Sequence, residues 1–169
     1  MRYLMPLLVL AACATTAVAD EGAFTKGPIF TDYGPVADVD VTMPIPPGTV
    51  FKHSFDVSTP APTGDPNSTL VSVARFINMH ARAGIPVGNI RAAVVVHGKA
   101  VKEMADELST SARLIAVLTV QGVRIIVCGQ SAAYYDVATD NLLPGVEMAL
   151  SAMTAHAVLQ QQGYTLNPF

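Results

Sequence analysis

The sequence predicts a three-layer α/β sandwich built on a mostly parallel sheet of about five strands. Three observations carry that prediction. Candidate strands recur at residues 51–58, 89–97, 123–127 and 146–150, the first alternating and the others mostly apolar. Segments with helical spacing separate them, and strand–helix alternation is the pattern that parallel pairing needs for its crossovers. Runs such as AAVVV and RIIV are apolar at successive positions, as in strands covered on both faces.

The chain begins MRYLMPLLVLAACATTAVADEG. Arg2, a short apolar run and the small residues Ala17 and Ala19 form the pattern of a secretory signal, expected over residues 1–19. The expected location is then the periplasm. Leu10-Ala11-Ala12-Cys13 also fits the box before a lipid-modified cysteine, so a membrane-anchored lipoprotein attached through Cys13 stays open. A membrane is a partner only in that second case. Residues 20–49 are broken by glycine and proline (GPIF, YGPV, PIPPGT). They predict an irregular arm that avoids central strand positions. Residues 50–169 hold the α/β domain, long enough to bury its own core.

Within that domain FKHSFDVS alternates as a strand. Asp65-Pro66 is a candidate helix start, and Leu70, Val73, Ala74 and Ile77 recur at helical spacing before Gly84. NIRAAVVVH is the second strand. Residues 99–122 predict a short helix or loop followed by a longer helix that Gly122 closes. VRIIV is the third strand and VEMAL the fourth. SAMTAHAVLQQQG reads as a helix ended by Gly163, and residues 164–169 can close the sheet as a short edge strand.

Composition excludes several classes. Leaving out Arg2, nine basic residues face thirteen acidic ones, a formal charge of −4, with no basic tract. Nucleic acid is therefore not an expected partner. There is no G-x-G-x-x-G, P-loop or G-x-S-x-G, so nucleotide binding and serine-triad hydrolysis lack a signal. No cofactor is expected.

The chain has two cysteines, Cys13 and Cys128. Cleavage after Ala19 leaves Cys128 alone, which rules out an intrachain disulfide and points to a free thiol or to intermolecular pairing. A buried apolar filler is the competing reading. Cys128 stands where VRIIV stops, at the carboxyl end of a predicted parallel strand, where ligand sites of open α/β sheets gather. His97 stands at the same end of the preceding strand. Gly98 and Gly129 follow these two residues and allow sharp turns. A helix starting at Gln130-Ser131 would aim unpaired N–H groups at the sulfur and favour its thiolate. His97 would donate to an anion there or move a proton; tying down its own loop is the plain alternative. Tyr134 is a candidate pocket wall, with packing as its alternative. His80 and His156, on helices, are expected to make local hydrogen bonds or face solvent. Cys128 and His97 supply at most two metal ligands, without C-x-x-C, H-E-x-x-H or H-x-x-x-H to complete a set, so no metal site is expected.

NIRAAVVVHGKAV, GVRIIVCGQSA and NLLPGVEMALSAMTAHAVLQQQGY together resemble the DsrE/DsrF-like family of sulfur-relay proteins, over roughly residues 50–168. The glycine- and proline-rich start resembles the exported branch of that family. The resemblance implies a parallel-sheet sandwich and homo-oligomers, commonly trimers or hexamers. In relay members a cysteine after the third strand carries sulfur as a persulfide, and that position is Cys128 here. The resemblance thus implies sulfur transfer between donor and acceptor thiols, on proteins or small molecules, and the local reading sets Gly98, Gly129, Gln130, Ser131 and Tyr134 around the sulfur. A non-enzymatic module that binds a small ligand or soft metal in the same strand-end pocket is the alternative.

Overall fold

The computed structural model describes residues 21–166. The expected signal segment 1–19, with Cys13, and the last three residues lie outside them. The order of strands and α-helices is β1 (Phe51–Val57), α1 (Ser68–Arg82), β2 (Ile90–Val96), α2 (Ala112–Val120), β3 (Arg124–Cys128), α3 (Gly129–Tyr134), β4 (Val146–Ala149), α4 (Ala152–Gln161) and β5 (Thr165–Leu166). Residues Gly98–Ala105 form the short helix expected before α2, wound as a 3-10 helix. The start of α1 differs from the sequence reading. Asn67, not Asp65, caps it, and its side chain accepts the Thr69 N–H. An Asn oxygen at that position satisfies one of the first-turn donors that has no intrahelical partner.

The five strands are all parallel in the order β4-β3-β2-β1-β5. That order explains the layers. From β1 to β4 the chain steps across the sheet in one direction, so crossovers of one hand put their helices on one face. The return from β4 to β5 runs the other way and puts α4 on the opposite face. The larger core accordingly joins Phe55, Val57, Val94, Val96, Ile125 and Val127 to Leu70, Val73 and Ile77 of α1 and Leu114, Ile115 and Leu118 of α2. The smaller core joins Ala93, Val95 and Ile126 to Ala155 and Leu159 of α4. Residues alternate between these faces along each strand, and β2 and β3 are buried almost throughout.

The arm is irregular, with one isolated antiparallel bridge between Thr25 and Val36. It docks on α1 through the fully buried Asn78. That side chain accepts N–H groups of Ile29 (3.1 Å) and Phe30 (2.9 Å) and donates to the carbonyls of Phe30, Tyr33 and Gly34, each at 3.0 Å. Arg82 adds donations to the carbonyls of Val36 and Lys26. No described helix is long and apolar enough to cross a membrane.

Candidate functional site at the carboxyl end of the sheet

Register and alternation assemble the site. Val96 pairs with Val127, so His97 and Cys128 follow side by side on adjacent strands. Asp56 pairs with Val95 one strand further on. Parallel partners face the same way and successive residues alternate. Asp56, His97 and Cys128 therefore share the face that carries Ala93, Val95 and Ile126, the face covered by α4. Ala152, Ala155, His156 and Leu159 of α4 fall at i, i+3, i+4 and i+7, one stripe turned to that face. His156 thus descends onto the strand ends. A cleft of about 370 Å³ results, lined by Asp56, His97, Cys128, Gln130, Ser131, His156 and the start of α4 at Ser151–Met153.

Cys128 ends β3 and caps α3, and 5 % of it is exposed. Burial pushes its thiol pKa up. The Ser131 hydroxyl and the backbone N–H groups of Ser131, Ala152 and Gln130 outweigh that, and the thiol lies below its ordinary 9.0. None of these donors closes a formal side-chain capping bond at the start of α3; they act together on the charge of the sulfur. Ser131 is oriented for this, since its oxygen accepts the Gly98 N–H at 3.0 Å, which leaves its own hydrogen free to turn to the sulfur. Ala152 opens α4, so the positive end of that helix also faces Cys128.

Gly98 has φ +56°, a left-handed conformation that glycine adopts without cost. Gly129 has a steric role. A Cβ there would lie 2.7 Å from the Ala149 carbonyl oxygen and 3.2 Å from that of Leu150. Only glycine lets β4 pass this close to the cysteine turn. Gln130 donates from Nε2 to the Leu150 carbonyl at 3.3 Å and lines the cleft. Tyr134 stands outside the cleft lining, 81 % exposed and edge-on to Tyr135. The α3 turn carries it past the strand ends, so the structure does not bring it to the sulfur.

Two residues not singled out as site members complete the cleft. Asp56 accepts from His97 Nε2 at Oδ2 and from His156 Nε2 at Oδ1, both at 2.8 Å. Burial raises the Asp56 pKa, but the two histidine hydrogen bonds and their charge hold it below the ordinary 3.8. His156, expected to bond locally or face solvent, reaches instead across 100 residues to β1, because it belongs to the sheet-facing stripe of α4. Its Nδ1 is buried without a partner. The i, i+3, i+4, i+7 spacing of α4 and the face parity of Asp56 were both present in the sequence and assign each residue to a face, but the strand order that brings those faces together was not. His80 does bond locally, to the Phe76 carbonyl. His53 and His80 both pack on Phe76, on the α1 side of the sheet. Among the described residues no three of His, Cys, Asp and Glu are grouped to hold a metal ion. A thiol biased toward thiolate beside a histidine backed by a carboxylate suits nucleophilic sulfur chemistry and proton transfer.

Known proteins agree with this architecture. The fold resembles MTH1491, a protein of unknown function from Methanobacterium thermoautotrophicum, at 20% identity and a TM-score of 0.54, over 69% of this chain and 97% of that one. It also resembles the ychN protein from E. coli, at 17% identity and a TM-score of 0.51, over 69% of this chain and 100% of that one. At such identities the likeness speaks for fold alone. No curated protein matches the chain. The model of the DsrE/DsrF-like family matches residues 52–168, a span that holds the sheet from Lys52 of β1 onward and the whole cleft, and the chain belongs to that family.

Proposed function

We propose that the protein is an exported sulfur carrier that holds sulfane sulfur on Cys128. The observation that carries this reading is the cleft that seats Cys128 with His97, Gln130 and Ser131 at the strand ends, where the Ser131 hydroxyl and the N–H groups of Ser131, Ala152 and Gln130 act to lower the pKa of the thiol. A thiolate attacks sulfur where a thiol does not. The Cys128 thiolate would attack the outer sulfur of a donor persulfide. A new S–S bond forms to Cys128, the donor's S–S bond breaks, and the donor leaves as a thiolate. An acceptor thiolate then removes the outer sulfur by the same displacement. Membership of a family of sulfur-relay proteins supports the chemistry, and the signal pattern at residues 1–19 supports a periplasmic location.

The test is direct. Reduced protein incubated with a sulfane-sulfur donor is expected to gain the mass of one sulfur, and Cys128→Ser is expected to gain none. Wild-type protein of unchanged mass, with a thiol that still alkylates, would overturn the reading. Homo-oligomerisation belongs to the same reading. The solvent-exposed apolar residues Leu150 and Met153 near the cleft support it, and light scattering coupled to gel filtration would count the subunits.

A further inference from the structure

We propose that Asp56 and His156 set His97 as the base that takes the proton from an incoming alkyl thiol, the acceptor that empties Cys128. The final transfer rests on the sulfur-carrier reading; activation of a thiol in the cleft does not.

The argument begins with a proton count. A carboxylate only accepts hydrogen bonds. Each oxygen of Asp56 lies 2.8 Å from a histidine Nε2, so both rings carry a hydrogen on Nε2. Neutral His97 then has its lone pair on Nδ1. That nitrogen makes no hydrogen bond to any described residue, and the side chain is 34 % exposed where it lines the cleft. A general base needs reach to the proton and a partner that steadies the charged form. His97 has both, since the strand register places it beside Cys128 and a proton gained at Nδ1 makes an imidazolium already paired with Asp56. The aspartate thereby selects the tautomer and supports the cation, as the third group of a nucleophile–base–orienter set does.

His156 acts differently. Its side chain is 17 % exposed and its Nδ1 is buried, so it offers a thiol no open lone pair. Its Nε2–H holds Oδ1 of Asp56 and keeps the carboxylate turned toward His97. It is a positioning residue, anchored on the buried stripe of α4 next to Ala155 and Leu159.

The step balances without an external oxidant. The acceptor S–H breaks and its proton goes to His97 Nδ1. The acceptor sulfur bonds to the outer sulfur of the Cys128 persulfide. The S–S bond to Cys128 breaks, and its electron pair stays on Cys128, which leaves as the thiolate that the surrounding donors favour. The substrate class follows. An alkyl thiol with a pKa of about 8.5 is mostly protonated at neutral pH and needs the base. A strongly acidic thiol is already a thiolate and does not.

The experiment converts Cys128 to a methyl mixed disulfide, whose outer sulfur stands in for that of the persulfide, and follows the return of the free Cys128 thiol at pH 7 by acid-quenched intact mass, which separates it from attack on Cys128 itself. Two attacking thiols are compared, an ordinary alkyl thiol and an acidified fluoroalkyl thiol. Asp56→Asn and His97→Gln are expected to slow the alkyl thiol about tenfold or more, within the range of general base catalysis, and to slow the acidic thiol by less than about twofold. His156→Leu is expected to show part of the same selective loss, and His156→Gln, which restores an N–H, to recover it. Equal losses with both thiols would mean that the cluster is structural only and would overturn the proposal. So would no loss in either Asp56→Asn or His97→Gln, or a Cys128 that takes no methyl disulfide, since no thiol then reaches the cleft. Failure of the sulfur-carrier reading looks different: thiol-selective losses here, alongside a Cys128 that never gains sulfur from a sulfane donor.

Discussion

Gly129→Ala tests the link between the packing of β4 and the reactivity of Cys128. The added methyl would sit 2.7 Å from the Ala149 carbonyl oxygen. Ordinary contact begins near 3.4 Å, so about 0.7 Å must be found, and the obstacle is backbone rather than a flexible side chain. Ala149 is the partner of Cys128 in the last pair of the β3–β4 ladder. Relief therefore means opening that end of the sheet. Overpacking of this kind costs about 1–3 kcal/mol, read as a lower urea midpoint at unchanged m. The same shift carries Ser151 and Ala152 with it and draws the Ala152 N–H away from the sulfur. Alkylation of Cys128 at neutral pH should slow, because the thiolate has lost one of the donors that hold its pKa down. Gly88→Ala is the control, at a glycine where an added Cβ meets nothing within 4 Å; it should match wild type in both measurements. A Gly129→Ala protein as stable as wild type, with Cys128 alkylating at the wild-type rate, would refute the claim that this close approach positions the sulfur.

Ser131→Ala should move the alkylation profile of Cys128 to higher pH, since burial then works against fewer donors; a profile that stays in place would remove the hydroxyl from the account. Asn78→Ala deletes five hydrogen bonds to residues 29–34, each with a net worth of about 0.5–1.5 kcal/mol. Because the arm joins no strand of the sheet, the loss should appear as fast exchange of the Ile29 and Phe30 amides and early proteolysis before residue 50, rather than as the full sum in global stability. Asp56 has a folded pKa below 3.8, so its contribution is complete above the unfolded value and disappears as pH falls through the lower folded one. The stability difference between wild type and Asp56→Asn should accordingly shrink as pH falls from about 5 through the folded pKa of Asp56, as followed by urea titrations across that range.

The strands and most helices were legible because their signals are local. Alternation named β1, apolar runs named β2 to β4, and the spacing of Leu70, Val73, Ala74 and Ile77 named α1. Cys128 and His97 were found by the same route, since a residue that ends a parallel strand is at the binding edge wherever the strand lies in the sheet. Tyr134 was placed near the sulfur on sequence distance alone, and the α3 turn carries it outward. Asn67 displaced Asp65 as the cap of α1 because the helix begins after Pro66, where only the Asn67 oxygen reaches the Thr69 N–H.

Asp56 and His156 needed more than local signals. Fold class and the strand-end position of Cys128 follow from the order of residues along the chain, because period, turn chemistry and strand ends are properties of short segments. The order β4-β3-β2-β1-β5 is a property of the whole sheet. It sends α4 to the opposite face, where one side chain bridges to β1 over 100 residues. A carboxylate shared by two histidines is a contact between distant segments, and only the packing of α4 on the sheet brings them within 2.8 Å. The sequence by itself determined that a thiol would end a buried parallel strand. The tertiary structure decided which groups surround that thiol, because hydrogen bonds act over ångströms in space and take no account of separation along the chain.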